Sequence, residues 1–73
     1  MKEKETLLEV RKDGEILVLL DGRNLLVDPS NLPTSCLWLP TAYLEITENR
    51  DDSVFDVLVH NIEEDEQIRA MWF

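Results

Sequence analysis

Seventy-three residues suffice for one domain, and sixteen acids against seven Lys and Arg leave it with a formal charge of −9. That balance speaks against a nucleic-acid backbone, which is bound by cations that displace its counterions, and against an anionic membrane surface. Cys36 is the sole cysteine and His60 the sole histidine, so one chain offers neither a disulfide nor the ligands of a structural zinc site.

A domain of this size buries only about 60% of the surface its unfolded chain exposes, so self-association, with a homodimer as its simplest form, is the expected supplement. No stretch nears the roughly 20 apolar residues of a membrane span, and the charged N-terminus leads into no signal-peptide core. A single thiol suits a reducing, cytoplasmic setting. The whole of 1–73 reads as one domain, with 1–5 as a flexible tail.

Asp13-Gly14 and Asp21-Gly22 are turn dipeptides between apolar, β-prone runs. They mark Leu7–Arg11, Glu15–Leu20 and Asn24–Val27 as three strands of a meander, with φ above zero expected at both residues of each pair. Pro29 and Pro33 cannot donate to a ladder, and with Ser30 and Asn31 they predict a 3₁₀ turn near 29–33. Tyr43–Thr47 alternates, placing Leu44 and Ile46 on one face and Tyr43, Glu45 and Thr47 on the other. After the polar loop 48–53 comes the β-branched run Val54–Asn61.

The last segment has two readings. Asn61-x-x-Glu64 resembles a capping box, and Ile68, Met71 and Trp72 share helical spacing; alternatively Glu63–Glu66 is a hairpin loop and Gln67–Phe73 a strand. The order Leu20-Asp21-Gly22-Arg23, Val27-Asp28-Pro29, Trp38-Leu39-Pro40, an alternating strand, Asn61 and Glu66-x-Ile68-x-Ala70 resembles a group of small bacterial domains of uncharacterised function. The resemblance covers about residues 14–70 and implies a small all-β, SH3-like barrel of five to six short antiparallel strands with strand at the C-terminus; it brings no function. The chain departs from it at Pro40-Thr41-Ala42, where those domains carry a glycine turn. An OB-like barrel or a C-terminal helix is the alternative.

The residues exclude more chemistry than they assign. Cys36, among Leu37, Trp38 and Leu39, reads as a buried thiol packing as a small hydrophobe, and Trp38 and Phe55 read as core. His60 has no companion at metal or catalytic spacing, so no enzyme activity and no cofactor is expected; a catalytic Cys36–His60 pair would require the fold to bring the two within hydrogen-bond reach. Glu48, Asp51, Asp52 and Asp56 gather around one loop and Glu63, Glu64, Asp65 and Glu66 form another, neither with the ligand alternation of a calcium loop.

The feature that exceeds a plain domain is apolar residues on both faces of several strands. With Ile16, Val18 and Leu20 assigned to the core, Leu17 and Leu19 fall outside; Leu26, Leu58 and Met71 likewise oppose their core neighbours. Part of that excess is expected to lie under the 29–42 segment. Leu17, Leu19, Leu26, Leu58 and Met71 then form a candidate contact face of a protein-interaction module or small assembly subunit. The competing reading is an acidic decoy or regulator that binds a basic protein surface through its charge.

Overall fold

Turn chemistry and the apolar runs between turns build six strands in the computed structural model, which describes residues 2–73. They are β1 (Glu3–Arg11), β2 (Ile16–Leu19), β3 (Asn24–Val27), β4 (Tyr43–Glu48), β5 (Val57–Asn61) and β6 (Glu66–Trp72). All pairs are antiparallel, and the order β1-β2-β3-β6-β5-β4 closes into a barrel, consistent with the small SH3-like architecture expected. The C-terminal segment is strand, not helix: Asn61 caps no helix but accepts from the Glu63 and Glu64 N–H groups at 3.1 and 3.2 Å, shaping the 62–65 hairpin turn.

Closure depends on β1, the longest strand. Its first half pairs with β4 (Glu3↔Ile46 to Thr6↔Tyr43) and its second with β2, with a break in register between Leu7 and Glu9. The extra residue, Leu8, lets the strand bend from one partner to the other, as bulges do. The tail expected over 1–5 is therefore corrected: residues 3–5 are laddered strand, and position 1 lies outside the described residues.

The two Asp-Gly turns differ. Lys12, Asp13 and Gly14 all have positive φ, whereas at the second turn only Gly22 does (96°). There the Gly22 N–H donates to Leu19 O (2.9 Å) and Leu19 N–H to Arg23 O (2.8 Å), so a turn with one left-handed glycine suffices. The Val54–Asn61 run also shortens: Val54 and Phe55 donate to Asp52 Oδ1 (2.8 and 2.9 Å) and stay in the loop, leaving Phe55 half-buried at its edge.

Leu7, Leu17, Leu19, Leu25, Leu44, Val59, Ile68 and Ala70 fill the barrel and are wholly buried. The assignment of faces along β2 is thus corrected. Leu7↔Leu19 and Leu17↔Leu25 are inward-facing pairs, so Leu17 and Leu19 belong to the core, while Leu20 is exposed. The bulge and the turn set this parity, and a one-residue slip exchanges every side chain between faces. In β3, β4 and β5 the expected faces hold.

The 29–42 segment closes one end of the barrel instead of lying across a sheet face. A 3₁₀ turn at Pro29–Asn31, with Asp28 accepting from Ser30 N–H (3.0 Å), runs into one helical turn, α1 (Leu32–Ser35). Leu32 packs against the core and Trp38 enters it, donating Nε1–H to Glu66 Oε1 at 2.9 Å. Cys36, expected to be buried, is exposed at the outer side of this cap, its thiol 3.5 Å from Pro33 O.

Candidate interaction surface

Three large apolar side chains stand beside turns with their surfaces open. Leu20 follows the buried run of β2; its N–H donates to Thr6 O (2.8 Å) while its side chain points away from the core. Tyr43 opens β4 on the face opposite Leu44. Ile62 begins the β5–β6 turn, with its N–H on Tyr43 O at 3.1 Å. Their exposures are 62%, 62% and 43%, and with Lys4, Glu5, Thr6, Asp21 and Leu44 they line an open groove of about 630 Å³.

Leu8, Leu37 and Leu39 are also exposed, and the Leu39–Ala42 turn is tied to β1 by Thr41 N–H to Leu7 O (2.7 Å) and Leu7 N–H to Ala42 O (2.9 Å). The charged residues lining the groove are Lys4, Glu5 and Asp21, and Arg23 is ion-paired with both acids, at 3.5 Å and 2.8 Å. Glu63, Glu64 and Asp65 follow Ile62 and are exposed; Glu63 and Glu64 line a separate opening beside Leu37 and Leu39, and Asp65 bonds to His60. Burial, and then the nearby Asp21 carboxylate, raises the Glu5 pKa; the Arg23 N–H above all lowers that of Asp21.

Of the five residues singled out in the sequence, Leu17 and Leu19 are core. Leu26, Leu58 and Met71 are half-buried on the outside of the barrel: Leu26 pairs with Met71, and Leu58 opposes Arg69, two residues from Met71. Leu58 lines an opening of about 480 Å³ with Asn31, Asn49 and Arg69, apart from the Leu20–Tyr43–Ile62 groove. The signal overlooked was position: Leu20 and Ile62 are large aliphatics at turns, where polar residues usually stand.

The acidic loops have structural work. Asp52 accepts the two N–H groups described above, which holds its carboxyl below the ordinary range. Glu66 holds Trp38, while Glu48, Asp51 and Asp56 are exposed around a loop closed by Asn49, whose Nδ2 donates to Phe55 O (3.0 Å). Among the described residues, no group of three His, Cys, Asp or Glu side chains is arranged to hold a metal ion.

His60 lies between Asp65 (Nε2 to Oδ1, 2.9 Å) and Glu45 (Nδ1 to Oε1, 3.6 Å), and the Asp65 hydrogen bond, against some desolvation, raises its pKa above 6.5. Cys36 and His60 share no hydrogen bond among the described residues. A second, larger opening of about 970 Å³ lies between Glu3, Ile46, Val57, Asp56 and Trp72. Near it Arg23 stacks on the Trp72 ring, 4.5 Å from its centroid, and bonds to Glu3 and, at 2.8 Å, to Asp21, so that this aromatic face already carries a cation.

The chain matches no family model, no curated protein and no solved structure in the comparisons made. No helix of the described residues is long and apolar enough to cross a membrane. The surface itself is therefore the ground for a functional reading.

Proposed function

We propose that this domain is a non-catalytic interaction module that holds an apolar segment of another protein in the groove between Leu20, Tyr43 and Ile62. The observation that supports it is the convergence of three well-exposed large apolar side chains on one groove, where solitary exposed residues would mean little. Covering their exposed portions offers roughly 2–5 kcal/mol at about 1.5–3 kcal/mol per fully buried side chain. Against the cost of association that supports only weak binding, so the groove is an anchor that needs help from its surroundings. A reducing, cytoplasmic setting suits the exposed Cys36 thiol.

Selection from a displayed random-peptide library, counter-selected on a Leu20→Glu/Ile62→Glu variant, tests the reading. Recovery of peptides that need the unmodified groove supports it. A library that yields none, with the variant as stable as the parent, removes it.

A further inference from the structure

We propose that the opening between the 37–42 segment and the β5–β6 turn is a second docking point, which receives a Lys or Arg side chain of a partner protein. It lies apart from the Leu20–Tyr43–Ile62 groove and does not depend on it.

The opening measures about 180 Å³, well under the roughly 300–1,000 Å³ of a small-molecule site, and so suits one side chain and not a free ligand. Its walls are of two kinds. Leu37 and Leu39, exposed to 74% and 72%, form an aliphatic wall with Pro40, while Glu63 and Glu64 come from the β5–β6 turn. The two walls are fixed to each other. Trp38, between the leucines, is held by Glu66, which opens β6 directly after the turn.

Charge selects the occupant. No cation lines this opening among the described residues, whereas each of the other four openings has a Lys or Arg in its wall. Among the described residues neither Glu63 nor Glu64 forms an ion pair, while Asp65 in the same turn is taken by His60, and Glu5 and Asp21 by Arg23. A Lys or Arg side chain packs its methylene stem on apolar surface and keeps its charged head at the polar edge. Leu37, Leu39 and Pro40 offer that surface, and Glu63 and Glu64 the counter-charge. Exposed ion contacts are each of small worth, so a free amine would gain little; the cation must arrive on a protein that also covers the two leucines. A second copy of this chain is disfavoured, since it would bring another charge of −9.

The test uses labelled peptides with a Leu-x-Leu centre, x being Lys, Arg or Met, titrated against the full chain at low and high salt by fluorescence anisotropy and amide shifts. The Lys and Arg peptides are expected to bind about three- to fivefold tighter than the Met peptide, the size that exposed charge contacts give. That advantage should vanish at high salt and in Glu63→Gln/Glu64→Gln, and the amides of Leu37, Leu39, Glu63 and Glu64 should move. Leu20→Glu should leave this binding unchanged, which separates the site from the groove. Equal binding of the peptides, an advantage that survives Glu63→Gln/Glu64→Gln, or no binding at millimolar peptide overturns the proposal. Loss of binding with Leu20→Glu would place the peptide in the groove and overturn it as well. A concentration-dependent dimer in light scattering that Leu39→Ser dissolves would make a second copy the occupant, with the same result.

Discussion

The Ser35 hydroxyl donates to the Gly14 carbonyl oxygen at 2.9 Å, pinning the helical cap to the first hairpin turn across 21 residues of chain. The approach is so close that a Cβ on Gly14 would sit 2.7 Å from Ser35 Oγ and 2.8 Å from the Cys36 nitrogen, and the φ of +103° disfavours a side chain as well. Gly14→Ala should therefore destabilise the fold by more than Ser35→Ala, whose cost is about 1–3 kcal/mol for a buried carbonyl left without its partner. Gly22→Ala meets nothing within 4 Å and carries only the φ strain. Urea melts of the three variants should rank Gly14→Ala as the most destabilised; parity with Gly22→Ala would contradict the close packing.

Thr41 occupies the left-handed region at φ 72°, directly after Pro40, in a turn closed by Ala42 N–H to Leu39 O (3.3 Å). A turn with proline at its second position and positive φ at its third favours glycine there, and a β-branched residue is strained. The sequence carries no glycine at this turn, yet the backbone takes the glycine-type conformation. Thr41→Gly is expected to stabilise by up to about 1 kcal/mol, relief of strain exceeding the entropic cost of glycine, with a rise in Tm of a few degrees. A lower Tm would be at odds with this geometry.

Protonated His60 is favoured in the fold by Asp65 and then Glu45. A raised folded pKa contributes stability that is complete below the unfolded value of about 6.5 and fades as pH rises through the folded value. Denaturant midpoints should fall from about pH 6.5 upward on this account, and His60→Gln should flatten that slope. Asp52 works in the opposite sense: its lowered pKa gives stability present above 3.8 and lost as pH falls through the folded value. An unchanged slope in His60→Gln would show that the pair with Asp65 carries no charge effect.

Leu19 and Leu20 are adjacent yet opposite in fate, one wholly buried and the other 62% exposed. Leu19→Glu places an unpaired charge in the core and should leave no folded population, whereas Leu20→Glu should stay within about 0.5 kcal/mol of the parent. Circular dichroism of the two variants decides the parity; a folded Leu19→Glu would reverse it.

The Asp-Gly turns, the proline break and the alternation of β4 were legible in the sequence because each depends on local backbone chemistry. The parity of β2 was not, because it is fixed by the bulge at Leu8 and by where β1 changes partner, both of which are properties of barrel closure. The same closure decides that Leu20, Tyr43 and Ile62, far apart in sequence, line one groove. Cys36 looked buried from its apolar neighbours, but Trp38 alone of that run turns inward while Leu37 and Leu39 are exposed.

The most direct test is amide chemical-shift mapping of the labelled chain as a peptide selected on the groove is added. Shifts should concentrate at Thr6, Leu20, Asp21, Tyr43 and Ile62, with little change at Leu26, Leu58 and Met71. Shifts centred on Leu26 and Met71, or none at saturating peptide, would contradict the groove as the binding site.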